Sequence, residues 1–229
     1  MTGFEQQGVT VPGGVTQAAG AVGVLGTSRP TRVGTAVSFR LGKALATAGV
    51  SVGVIDWCDG IGRAALRGAL ASGPAGVRPF AMMQLPIRPE SRRIPVPVPS
   101  SRPTEHQRST SPVSTRRQEA GSWRGELRRL GVLDGPDGRK LHPSPRDPLA
   151  AFAARLDLVV VVECHLRDDL WVTVEKLDAL GARIMVVPGS VAEAASKGTN
   201  RMIVDGLAPV CDAADVLVAL GLARVTPVV

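Results

Sequence analysis

Three basic side chains stand where they could meet a phosphate. Arg29 lies in TSRPTRVG, a loop that follows an apolar run; Arg146 immediately precedes the helical stretch DPLAAFAARL; Lys197 sits in the small-residue run PGSVAEAASKGTN. A guanidinium or ammonium neutralises phosphate charge, and Gly189, Gly198 and Asn200 would let the backbone approach a ligand closely. Trp171 offers a flat face on which a base can stack. Each of these residues also has a plain structural role. Arg29 and Lys197 can be solvated charges, Arg146 a partner for Asp147, and Trp171 a side chain packed at a helix start. Gly189, Gly198 and Asn200 can be turn-formers. Asp168 and Asp169, just ahead of Trp171, cap its helix, repel phosphate, or bind a basic partner.

Several other chemistries are excluded by pattern. No GxxxxGK[ST] loop exists, since Gly42-Lys43 is followed by Ala44, and no GxGxxG follows the first apolar run. His106, His142 and His165 form no recognised metal-ligand motif, and no G-x-S-x-G supports a nucleophile elbow. Neither a metal site nor a cofactor is expected.

The elements that must position these residues alternate. Apolar runs at Ala21–Gly26, Gly49–Asp56, Asp157–Glu163 and Ile184–Val187 predict buried strands, with a further strand in VRPFAMMQL. Helical spacing predicts helices over Thr35–Ala48 and Gly62–Ser72, and in GELRRLGVL, DPLAAFAARL, WVTVEKLDALG, GTNRMIVDG and DAADVLVALG. Gly181 is expected to close one of these and Asp212 to open another. Strand–helix alternation with a four-valine strand implies an α/β fold whose mostly parallel sheet is covered on both faces. In such sheets ligands bind outside the carboxyl ends of the strands, where the loops after Gly26, Asp56, Glu163 and Val187 emerge.

A chain of 229 residues, 44% of them hydrophobic, can build one full core. Only 3% are aromatic and Tyr is absent, so that core must be aliphatic. Cys58, Cys164 and Cys211 are scattered, as expected of reduced thiols in a cytoplasmic protein. No apolar run is long enough to span a membrane, and no secretory signal is expected at the start of the chain.

The net charge of +7 is concentrated. From Arg78 to Arg146 there are 14 Lys/Arg against 6 Asp/Glu, whereas the rest of the chain holds 13 against 14. The same segment carries 11 of the 18 prolines. We expect an N-terminal tail over 1–20 and a single domain over 21–229, interrupted at about 88–120 by a flexible, basic, Pro-rich insertion. That insertion is either a solvated linker or an arm that meets phosphate backbones or an acidic partner.

Two blocks resemble the DprA/Smf family of DNA-processing proteins. SPRDPLAAFAARLDLVVVVE and VTVEKLDALGARIMVVPGSVAEAASKGTNRMIVDGLAPVCDAADVLVALG are similar to the family's closing half, and VGVLGTSRPTRVGTAVSFRLGKALATAGVSV and DGIGRAALRGAL to its opening half. The resemblance covers about 21–72 and 142–221. It implies an extended Rossmann-like three-layer fold, single-stranded DNA binding without catalysis, a RecA-type recombinase partner and a possible homodimer. It also implies DNA contacts at Gly26, Ser28 and Arg29 of the first loop, at Arg146, and at Gly189, Lys197, Gly198 and Asn200. The chain departs from the family where Asp168, Asp169 and Leu170 replace a Ser-Gly-Ser loop. Two alternatives stay open: an interaction scaffold on this fold, and a nucleotide-sensing relative.

Overall fold

The four residues of LVVV in the fourth strand are all buried, as a strand flanked on both sides and covered on both faces requires. The computed structural model describes residues 18–55, 60–71, 79–82, 148–166 and 168–223. In chain order these form β1 (Gly20–Leu25), α1 (Arg32–Thr47), β2 (Val50–Ile55), α2 (Gly60–Leu70), β3 (Phe80–Met82) and α3 (Pro148–Ala153). They continue with β4 (Leu158–Val161), α4 (Asp169–Ala179), β5 (Ile184–Val186), a 3₁₀ turn (Ala194–Ser196), α5 (Lys197–Val204), β6 (Ala208–Pro209) and α6 (Ala213–Ala219). The predicted basic insertion at 88–120, the predicted helix in GELRRLGVL, and Arg146 lie outside the described residues.

Every strand pairing is parallel, and the order is β3-β2-β1-β4-β5-β6. This is the doubly wound arrangement expected of an α/β chain. The sheet separates two apolar clusters. Leu41 and Leu45 of α1, Ile61 and Leu66 of α2 and Val216 of α6 fill one face, around Val22, Val24, Val52 and Val160. Phe152 of α3, Val174 and Leu177 of α4 and Met202 of α5 fill the other, around Leu25, Val159, Val161 and Val186. Phe80 and Phe152 meet there with ring centroids 5.9 Å apart.

Five of the six described strands lie where the apolar runs predict them, most ends falling one to three residues short and β1 starting one residue early. The exposed two-residue β6 has no apolar run and is not predicted. The pairing of β1 with β4 nevertheless continues past both strands. The Val162 amide donates to the Leu25 carbonyl at 2.9 Å, and the Thr27 amide to the Glu163 carbonyl at 2.8 Å. Gly181 follows α4 with a φ of 80°, and Asp212 caps α6 in a reciprocal capping box with Asp215.

Helices α1 and α2 pack backbone to backbone. A Cβ at Gly42 would overlap the Ala65 carbonyl, and one at Gly68 would overlap the Phe39 carbonyl. Replacing either glycine with Ala gains helix propensity of about 1 kcal/mol. It also drives a methyl into backbone that can yield only if the whole helix moves. Gly42→Ala and Gly68→Ala are therefore expected to destabilise the fold by about 1–3 kcal/mol in urea unfolding, the cost of overpacking. Unchanged or raised stability would contradict this packing.

Candidate nucleic-acid interface

The strand order reverses between β1 and β4. From there the chain runs outward through β2 and β3 on one side and through β5 and β6 on the other. Loops leaving such a pair diverge to opposite faces and leave a crevice at the carboxyl edge, the usual ligand position in this fold class. Here that position lies between the loop 26–31 before α1 and residues 162–166 and 168 before α4.

Both loops are tightly tied. Thr27 is buried; its carbonyl accepts the Ile61 amide at 3.2 Å, and its hydroxyl accepts the Arg29 amide at 3.2 Å. Glu163 is also buried, and its carboxylate turns to the start of α1. One oxygen accepts the Thr31 amide at 2.9 Å and the other the Thr31 hydroxyl at 2.6 Å. The Thr31 hydroxyl in turn accepts the Gly34 amide at 2.9 Å, which caps the helix. A charge taken out of water must be hydrogen-bonded, and these donors meet that need.

The neighbouring loops are stitched in the same way. The Cys164 amide donates to the Ala195 carbonyl, and the Gly198 amide to the Cys164 carbonyl, each at 2.8 Å. Asn200 clamps the peptide groups of Gly189: its side-chain oxygen accepts the Gly189 amide at 3.0 Å and its nitrogen donates to the Gly189 carbonyl at 2.9 Å. Asp168 is the N-cap of α4 and accepts the Leu170 amide at 3.2 Å, so its capping role is the one realised.

The residues proposed from sequence therefore divide. Ser28, Arg29 and Lys197 are exposed near the carboxyl edge, free to meet a ligand. Gly26, Gly189 and Gly198 are close-packing positions: a Cβ would overlap Ile61, Ser196 and the Cys164 carbonyl respectively. Asn200 spends its amide on Gly189. Trp171 is half-buried against the second apolar cluster, and its indole N–H donates to Glu175 at 2.7 Å. Thr27, Thr31 and Glu163 were not singled out from sequence, nor was Arg32, exposed at the first position of α1. Arg32 was legible as a second arginine three places after Arg29. Among the described residues no cluster of His, Cys, Asp and Glu could hold a metal, and no helix is long and apolar enough to cross a membrane.

A doubly wound parallel sheet with basic side chains beside its switch point defines a Rossmann-like α/β fold with a candidate anion-facing edge. More specifically, the fold is that of the DNA-processing proteins. DNA processing protein A (DprA) from Streptococcus pneumoniae matches with a TM-score of 0.55 and 17% identity, over 87% of this chain and 61% of that one. DprA from Helicobacter pylori, described as having a unique single-stranded DNA binding mode, matches with a TM-score of 0.55 and 14% identity, over 89% of this chain and 80% of that one. This chain thus spans less than two thirds of the Streptococcus pneumoniae protein. No family model matches the sequence, and no curated protein does.

Cys164 gives a direct check on how closed this edge is. Burial, reinforced by the charge of Asp168, pushes its thiol up to about 12. The thiolate is the reactive form, so at pH 8 iodoacetamide should modify exposed Cys211 and spare Cys164 until the protein unfolds, as read by peptide mass mapping. A folded-state value above the ordinary 9.0 means that this group's contribution to stability is complete below about pH 9 and is lost as pH rises toward 12. Rapid alkylation of Cys164 in the folded protein would contradict the closed edge.

Proposed function

We propose that this chain is a DprA-like, non-catalytic single-stranded DNA-binding protein. The observation that carries this reading is the placement of charge. Of the 14 basic residues from Arg78 to Arg146, all but Arg78 follow β3 in the connection to α3. Because all strand pairings are parallel, the carboxyl end of β3 lies at the same sheet edge as the loops holding Ser28, Arg29 and Lys197. DNA would meet exposed side chains at this edge and arginines of the segment, Arg146 among them. Gly26, Gly189, Gly198 and Asn200 would hold the loops in shape. In this reading the chain is one domain, acts in the cytoplasm, forms a homodimer, and delivers DNA to a RecA-type recombinase.

A second reading, an interaction scaffold, is favoured by one observation. Glu163 and Asp168 already stand at the helix starts at the switch point, where they take the Thr31 and Leu170 amides and oppose a second anion.

Salt titration separates the two. Affinity built on phosphate contacts falls with salt at a slope of roughly −0.7 per neutralised phosphate on a single strand. Deleting 88–120 removes Arg88, Arg92, Arg93, Arg102, Arg108, Arg116 and Arg117. The deletion should flatten the slope by up to about 5, and Ala at Arg29 and Arg146 should flatten it less. The opposite ranking would place the affinity in the pocket. No binding to any oligonucleotide at low salt would remove the DNA reading and leave the scaffold.

A further inference from the structure

Folds of this class hold phosphate at the start of the helix that follows β1, where unsatisfied amides and the helix dipole meet an anion. In this chain the donors that flank the helix start, at Thr31 and Gly34, are already engaged. The Thr31 amide and hydroxyl both go to the Glu163 carboxylate, and the Gly34 amide goes to the Thr31 hydroxyl. The carboxyl group packs so closely against Gly34 that a Cβ there would overlap all three of its atoms. The backbone on either side of Glu163 is held in place. Val162 donates to Leu25, the Glu163 carbonyl accepts from Thr27, and Cys164 is bonded at both its amide and its carbonyl to the segment leading into α5.

We propose that Glu163 is a specificity-determining residue: its carboxylate stands in for a phosphate at the start of α1, so the switch point rejects free phosphate and mononucleotides. A second anion at this place would find the Thr31 and Gly34 donors taken and would face a like charge within a few ångströms, where repulsion is large. The consequence is a chain that takes phosphate only as part of a polymer, through exposed side chains, and does not sense or cleave nucleotides at the position common to its fold class. The uptake of phosphate as a polymer rests on the DNA reading; the exclusion of free phosphate does not, because it concerns only the groups at the start of α1.

The test uses the full-length chain with inorganic phosphate and AMP as probes, at constant ionic strength, read by thermal shift and calorimetry. The wild type is expected to show no saturable binding of either. Glu163→Ala frees the Thr31 donors and opens the space, so saturable binding should appear, with a phosphate-dependent rise in melting temperature absent from the wild type. Adding Thr31→Val to that variant should weaken the gained binding at least about tenfold, as loss of a buried donor to an anion does. Should Glu163→Ala fail to fold, Glu163→Ser, which keeps a hydroxyl opposite Thr31, replaces it. Should both fail, the recovery of folded variant on refolding in phosphate rather than chloride becomes the readout, and recovery should be higher in phosphate. The proposal is overturned if the wild type binds either probe as tightly as the variant. It is equally overturned if a folded variant gains no binding, or if phosphate gives no rescue.

Discussion

The contact between the Glu163 carboxylate and Thr31 organises the carboxyl edge of the sheet at the switch point. It joins the end of a central strand on one side of the switch point to the start of the longest described helix on the other. A buried carboxylate is tolerated only with full hydrogen bonding, and a helix start is stable only when its amides are satisfied. One contact between residues 132 positions apart meets both needs. The Thr27 amide, donating to the Glu163 carbonyl, extends the β1–β4 pairing into the place where a ligand crevice would open. The loops on either side are thereby fixed relative to each other.

The same economy runs along the rest of the edge. Asp168 caps α4, Asp212 and Asp215 cap α6, and Asn200 holds the Gly189 peptides. What the described edge offers a ligand is chiefly exposed side chains, Ser28, Arg29, Arg32 and Lys197, since the Thr31, Gly34 and Leu170 amides are already bonded. Binding through such groups is Coulombic, weakly oriented and sensitive to salt. The large basic excess between β3 and α3 complements this arrangement, since it supplies charge where the fold supplies little backbone recognition.

The sheet was legible, apart from the exposed β6, because burial on both faces writes itself as uninterrupted apolar runs, of which LVVV is the clearest. The caps at Asp168 and Asp212 were legible for a local reason: an aspartate before a helical pattern satisfies amides two or three residues on. The role of the glycines was not. Gly26, Gly189 and Gly198 read as places for a ligand, yet the space beside each is filled by Ile61, Ser196 and Cys164, the first and last of these distant in sequence. Close approach depends on tertiary packing, and a single glycine does not say what approaches it. Glu163 did leave a trace, a carboxylate closing the strand pattern DLVVVVEC, which demands a partner inside the fold. Nothing local identified that partner as Thr31. Arg146 and the insertion at 88–120 lie outside the described residues, so their part in the site rests on sequence and charge.

The central claim is that the fold's own groups close the switch point and that nucleic acid is held mainly by the basic segment between β3 and α3. Photo-cross-linking of the full-length chain to a single-stranded oligonucleotide carrying 5-iodouracil, followed by peptide mapping, tests this most directly. The account predicts that cross-links concentrate in peptides between Arg78 and Arg146, with a minor fraction at the loop holding Arg29. Cross-links concentrated instead at 26–31 and 187–200, with the basic segment unmarked, would contradict it.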